Sequence, residues 1–335
     1  MLLIDSLYVN ESGGLELLKY LVESVEDDVK LEAYYLFDSR SASNFVNIPI
    51  ARKKILKANL WNRYFFYRRF NRKFTKVLCF GNIPPVHKID ANVYTYFHNI
   101  NLLALPKSFT FKIKLFSILK NKIIKVLKGN TNLWLVQTNN TKNELEKAFL
   151  EKKSKILILP FYKIDSSKVQ MNLERNDYIY VSNFVKEKNH VSLIRAWRIL
   201  YESGYNLTLH ITLSTMSKEL EILLNESINK GIQIINHGFV SKDIIDELYS
   251  LSKATIYPSI NESLGLGIVE ALHSGCDLIG ADLPYIYSIS EPSAVFNPYD
   301  ILSIVEAVKV YESGKCDKSK LLINNEINEL LKILS

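Results

Sequence analysis

The sequence predicts an α/β protein of two doubly wound units, each built on a parallel sheet, and three observations carry that expectation. The chain has 335 residues, long for one domain and suited to two of ordinary size. Short apolar runs alternate with helix-periodic segments over residues 2–159, and the alternation starts again over residues 178–280. Between the two series lies a polar stretch, residues 163–176, where a boundary belongs. The domains are therefore placed at residues 1–165 and 166–318, with a terminal helical segment at 319–335.

In the first series residues 2–5 read as a strand, and residues 9–14 form the loop that follows. This loop brings Gly13 and Gly14 to a strand-to-helix turn, where open α/β sheets bind ligands; a plain turn explains the pair equally well. A helix is expected over 15–25, a strand over 29–38, a basic helix over 52–70, and strands over 76–80 and 93–97. Helix 112–128, strand 133–137, helix 142–150 and strand 156–159 complete the series. Gly81 and Asn82 follow one of these strands, and His98 and Asn99 follow the next, at the carboxyl ends where ligands sit. Turn chemistry for the first pair and a buried, satisfied histidine for the second are the structural alternatives.

The second series gives strands at 178–182, 207–212, 232–235, 254–257 and 277–280. Helices fall between them at 190–203, 218–230, 242–250 and 266–274. Ser241 is placed as an N-cap, and Gly275 at the left-handed position that closes a helix.

Composition narrows the class. Hydrophobic residues make up 47% of the chain, enough for proper cores, and no run of about 20 apolar residues exists to cross a bilayer as a helix. Met1-Leu2-Leu3-Ile4 meets Asp5 at once, too short for the apolar core of a secretory signal. The three cysteines, Cys79, Cys276 and Cys316, are an odd set without metal-like spacing, which suits a reducing cytoplasm and no bound metal. Charge is unevenly spread. Residues 39–143 hold 20 Lys and Arg against one acid, Asp90, while the remainder holds 22 basic and 34 acidic residues. Within the basic part, Trp61, Tyr64, Phe65, Phe66, Tyr67 and Phe70 lie among Arg63, Arg68, Arg69, Arg72 and Lys73. Lys112, Lys114, Lys120, Lys122, Lys125 and Lys128 likewise interleave with apolar residues. This pattern fits helices lying in an anionic leaflet better than it fits nucleic acid, since no nucleic-acid module surrounds it; a solvated basic face is the plain alternative.

The chemistry concentrates in Tyr257-Pro258-Ser259-Ile260-Asn261-Glu262-Ser263-Leu264-Gly265-Leu266-Gly267-Ile268-Val269-Glu270-Ala271. It reads as a strand end, a glycine-containing loop and a helix start. Such a loop points backbone N–H groups and the positive end of the helix dipole at an anion. Gly265 and Gly267 let the backbone approach a phosphate closely. Glu262 and Glu270 would repel that phosphate and suit hydroxyl donors. Hydroxyls on one side and a diphosphate on the other is what a sugar nucleotide presents.

With residues 180–190, His237-Gly238-Phe239-Val240-Ser241, Ala281-Asp282-Leu283-Pro284 and Phe296-Asn297-Pro298, this stretch resembles the retaining glycosyltransferases that carry Glu-x7-Glu, the group 1 or family 4-like type of bacterial surface-polysaccharide synthesis. The resemblance implies the GT-B fold, two Rossmann-like domains with parallel sheets facing across a cleft, and a last helix that packs back on the first domain. It implies an acceptor-binding first domain and a donor-binding second one. Glu262 would hold hydroxyls of the transferred sugar, Glu270 the ribose, and Lys188 the diphosphate, with N–H groups of Gly265, Leu266 and Gly267 beside it. His98 would line the sugar pocket, and Asn183, Ser263, Gly13 and Gly14 complete the donor set. Gly81, Asn82 and Asn99 fall on the acceptor side. Two positions depart from the family: Asn183 replaces an Arg, which removes an always-charged bidentate group, and Ser288 stands where many relatives carry Glu. The implied activity is hexosyl transfer from a nucleotide-sugar to a lipid-linked or saccharide acceptor in lipopolysaccharide, O-antigen or capsule synthesis. It needs no metal or cofactor, and would act in the cytoplasm, peripheral at the inner face of the membrane. A sugar-nucleotide epimerase of the same architecture and a catalytically weakened scaffold subunit are the alternatives.

Overall fold

The structure is a computed structural model. It describes all residues except Asn71 and residues 104–110, 150–154 and 165–174, and it leaves aside the side chains of residues 111–116 and 149. The expected boundary stretch, 163–176, therefore lies largely outside the described residues. Two compact units emerge, Met1–Lys163 with Asn324–Ser335, and Ile164–Ile323.

The first unit runs β1 (Leu2–Asp5), α1 (Ser12–Asp27), β2 (Ala33–Asp38), β3 (Lys53–Leu56), α2 (Leu60–Phe70), β4 (Lys76–Cys79), β5 (Asn92–Phe97), α3 (Phe111–Leu127), β6 (Leu133–Val136), α4 (Asn139–Phe149) and β7 (Ile156–Ile158). All seven strands are parallel, in the order β3-β2-β1-β4-β5-β6-β7. Every residue of β1 and β2 is buried, as expected of strands covered on both faces. Helix α1 turns Leu17, Leu18, Leu21, Val22 and Val25 inward, a stripe at helical spacing.

The second unit runs β8 (Asp177–Tyr180), α5 (His190–Glu202), β9 (Leu209–Ile211), α6 (Lys218–Asn229), β10 (Ile234–Asn236), α7 (Lys242–Leu251), β11 (Ser252–Tyr257), α8 (Leu266–His273), β12 (Asp277–Ala281), α9 (Pro284–Tyr287), β13 (Ser290–Glu291), β14 (Ala294–Phe296), α10 (Ile301–Glu312) and β15 (Lys320–Leu321). Its main sheet has the parallel order β10-β9-β8-β11-β12-β14, while β13 and β15 form a separate antiparallel pair. The last helix, α11 (Ile327–Leu334), belongs to the first unit: Lys76 Nζ donates to the Ile333 carbonyl at 3.1 Å, and Asn325 Nδ2 to the Tyr20 hydroxyl at 2.8 Å.

In each sheet the order of the strands turns back once, between β1 and β4 and between β8 and β11, while every strand stays parallel. Crevices at such switch points, beyond the carboxyl ends of the strands, are where this architecture holds ligands.

Several expectations are corrected. The basic helix over 52–70 is two elements: Lys53–Leu56 is an edge strand, and the helix starts only at Leu60. The strand expected over 29–38 starts at Ala33, since Val29 is fully exposed in a turn. Gly13 and Gly14 lie in the first turn of α1 and not in the preceding loop. Residues 319–335 are not one helix, because Lys320 and Leu321 pair with β13 and the helix starts only at Ile327. Ser241 stands at the N-cap of α7, yet its hydroxyl accepts no capping bond. Most consequential, Arg63, Phe66 and Tyr67 are buried and do not belong to the basic outer face.

Candidate active site

In the second unit the switch point gathers the loop after β8, residues 181–189, and the loop after β11, residues 258–265. The two loops are tied by backbone: Ile260 N donates to the Glu187 carbonyl at 2.8 Å, and the buried Ser259 hydroxyl donates to the same oxygen at 3.4 Å. The Tyr285 hydroxyl holds the Ser259 carbonyl at 2.6 Å from below, and the Tyr180 hydroxyl holds that of Lys188 at 3.0 Å. With both loops pinned, Lys188 Nζ meets Glu262 Oε1 in an ion pair, and the Tyr257 hydroxyl donates to the same carboxylate oxygen at 3.3 Å. The ammonium also lies 5.7 Å from the Tyr257 ring centre. Burial, and then the Glu262 charge, push the Tyr257 hydroxyl pKa well up, so it stays a donor.

Gly265 precedes α8 in the left-handed region, φ +66°, a conformation that favours glycine. Its carbonyl accepts from Ile268 N at 2.8 Å, which leaves the N–H groups of Leu266 and Gly267 as first-turn donors without a helical partner. Gly267 has a packing reason as well. A Cβ there would stand 3.4 Å from both the Val181 carbonyl oxygen and the Tyr257 ring. One turn into the helix, Glu270 pairs with Lys242 at 3.1 Å, and Lys242 also reaches Asp246 at 2.7 Å. Burial alone would lower the Lys242 pKa, but Glu270 and Asp246 more than offset it and raise it. Asn183 is exposed on its loop. Behind the loop, His190 Nε2 lies 2.9 Å from the Ser182 hydroxyl, and burial followed by the Lys188 charge pushes its pKa down to about 3.

In the first unit the switch point collects the other predicted residues. Gly81 can be nothing larger, because a Cβ there would overlap the Leu7 carbonyl oxygen. Asn82 adopts φ +67° and accepts the His98 backbone N–H on Oδ1 at 2.7 Å. His98 Nε2 lies 2.9 Å from the Phe80 carbonyl and 3.4 Å from Asn82 Nδ2, so both neighbours hold the ring. Burial pushes the His98 pKa down to about 4, and the ring is neutral near pH 7. A histidine so shifted is not poised as an acid. Gly14 lies against it, since a Cβ there would come within 3.0 Å of His98 Cε1. Gly13, Gly14, Gly81, Asn82, His98 and Asn99 all belong to loops or first turns beyond the carboxyl ends of β1, β4 and β5.

Sequence reasoning missed Lys242, the tyrosine floor of Tyr180, Tyr257 and Tyr285, and the Ser182–His190 contact. The tyrosines end or follow strands, a signal that could have marked them; Lys242 lies 28 positions from Glu270 and carries none. Among the described residues no group of three or more His, Cys, Asp or Glu is arranged to hold a metal ion.

Residues 162–328 match the family model described as Glycosyl transferases group 1. The serotype-specific mannosyltransferase WbdA of Escherichia coli is 27% identical over 147 residues, which cover 42% of this chain and 18% of that protein. The O-antigen chain mannosyltransferase RfbU of Salmonella typhimurium is 26% identical over 216 residues, 64% of this chain and 59% of that one. The chain thus spans less than two thirds of the length of either curated relative. Among solved structures, the lipopolysaccharide outer core galactosyltransferase WaaB superposes with a TM-score of 0.65 at 13% identity, over 94% of this chain and 91% of that one, a likeness of fold. The second unit is a group 1 glycosyltransferase domain, and the chain has the GT-B fold.

Proposed function

We propose that this chain is a retaining glycosyltransferase that moves a hexosyl group from a nucleotide-sugar to a lipid-linked saccharide in the assembly of a surface polysaccharide such as O-antigen or capsule. The observation that carries the reading is the meeting of Lys188, Glu262 and the N-terminus of α8 at one switch point of a group 1 domain. The donor diphosphate takes Lys188 and the Leu266 and Gly267 N–H groups. Glu270 accepts the ribose hydroxyls and Glu262 those of the sugar. As the bond from the anomeric carbon to the leaving phosphate oxygen breaks, the negative charge gathers on that oxygen, beside a fixed cation and a helix N-terminus. The acceptor hydroxyl attacks from the same face and passes its proton to the departing phosphate, so no separate base is required. His98, a neutral ring near pH 7, orients a sugar hydroxyl. Asn183 leaves the diphosphate one cation short of the family pattern, and Lys188 bears the larger share. The donor nucleotide is a substrate, and no resident metal or cofactor is invoked. The protein works on the cytoplasmic face of the membrane, where lipid-linked acceptors present their saccharides.

The names of WbdA and RfbU, which refer to mannosyl transfer and to O-antigen, support the acceptor class. The test is incubation with a panel of sugar nucleotides, with and without membrane lipid extract, followed by analysis of both lipid and nucleotide products. Sugar should appear on lipid only when extract is present, with release of nucleoside diphosphate. An epimerised sugar nucleotide formed without acceptor would establish the isomerase alternative instead.

A further inference from the structure

The edge strand β3 and helix α2 border an open groove of about 730 Å³ in the first unit. Ile55, Phe65 and Phe66 form its apolar walls, and Lys54 and Arg69 are among its lining. Ile50 at its end is 87% exposed, and one turn of helix before Phe65 stands Trp61, 73% exposed. The Trp61 and Phe65 rings lie 6.4 Å apart on one helix face. Among the described residues, Lys54, Lys57, Arg68, Arg69 and Arg72 form no ion pair with a carboxylate. Lysines on an edge strand are an ordinary defence against strand pairing. That reason does not cover large apolar rings held in water beside unpaired arginines, and such a patch marks a contact surface.

We infer that this groove and the outer face of α2 are where the protein seats on a bilayer rich in anionic phospholipid. Trp61, Phe65 and Ile50 enter the headgroup region, and Lys54, Lys57, Arg68 and Arg69 meet the lipid phosphates. Residues 39–143 hold 20 basic residues and one acid, and although Arg40, Arg52 and Arg63 pair with Asp38, Glu26 and Asp5 from outside that stretch, the excess of positive charge attracts an anionic surface to this part of the chain. The mixture of an indole, aromatic and branched apolar side chains with lysine and arginine suits the water–lipid boundary. It is not the whole of α2 that takes part, because Arg63 and Tyr67 are buried away from the groove.

The inference rests on the membrane association proposed above, and its test uses no sugar donor, so its failure leaves the donor-site reading standing. The chain has three tryptophans, and Trp134 and Trp197 are only 3% and 1% exposed, so emission changes on lipid contact report Trp61. The full-length protein should show a blue shift and sediment with phosphatidylglycerol vesicles, and do neither with phosphatidylcholine vesicles. Trp61→Phe should lose the blue shift. Lys54→Glu with Arg69→Glu should cut sedimentation at least tenfold, with an unchanged circular dichroism spectrum. Absence of binding to phosphatidylglycerol would overturn the inference, as would binding that the charge reversals leave intact. Concentration-dependent dimerisation lost on Phe65→Ser, or oligonucleotide binding in the absence of vesicle binding, would assign the face to another partner and equally overturn it.

Discussion

Replacing Glu262 with Gln should lower sugar transfer about ten- to a hundredfold while sparing, or slightly tightening, the binding of free nucleoside diphosphate. The Glu262 carboxylate pairs with the Lys188 ammonium, so neutralising it frees that cation for the diphosphate. What is lost is the acceptor of sugar hydroxyls, a charge-assisted hydrogen bond whose removal costs about 1.5–3 kcal/mol. Glu270→Gln should behave differently, weakening donor and free nucleotide by a similar factor to each other, because the ribose is common to both. It also leaves Lys242 with Asp246 alone. Calorimetric titration of both variants with nucleoside diphosphate, beside transfer rates, separates the roles. Equal weakening of nucleotide binding in the two variants would refute this division of labour.

The second large effect is on stability. Arg63 and Asp5 are each only 1% exposed at the side chain and meet at 2.7 Å. The guanidinium also donates to the Pro84 and Ile83 carbonyls at 2.6 and 2.8 Å, and Tyr67 donates to the same Asp5 oxygen at 2.6 Å. Burial works against the Arg63 charge, but Asp5 and its neighbours raise its pKa well above the ordinary value. Arg63→Met should therefore destabilise the first unit by about 3–5 kcal/mol, because it strands a carboxylate in the interior. Asp5→Asn added to Arg63→Met should recover part of that loss. Urea unfolding of the single and double variants measures both; a single variant within about 1 kcal/mol of the parent would show that the pair does not brace the centre of the sheet at β1 and β4.

The central strands and the Glu262–Glu270 segment were legible because each is a local pattern. Strands covered on both faces are continuous apolar runs, as in Leu2–Asp5 and Asp277–Ala281, and the segment's glycine and carboxylate spacing lies within one loop and one turn of helix. Edge strand β3 was not legible. Lys53-Lys54-Ile55-Leu56 pairs on one side only, needs little apolar character, and merges by charge with the basic helix after it. Arg63 misled for a related reason. It sits with Phe66, Tyr67 and Phe70 at helical spacing, on the apolar stripe, and its charge concealed that position. The pairings Lys188–Glu262 and Lys242–Glu270 join residues that only the two-loop geometry of the switch point brings together. Sequence spacing holds no record of such long-range contacts.

The most direct measurement is thermal unfolding of the parent protein with UDP, GDP, ADP, CDP and dTDP. The Lys188, α8 and Glu270 constellation predicts that at least one of them stabilises the protein, by about 2.7 kcal/mol when present at a hundred times its dissociation constant. A panel that leaves the unfolding midpoint unmoved at millimolar concentration for every nucleotide would contradict a donor site at this switch point.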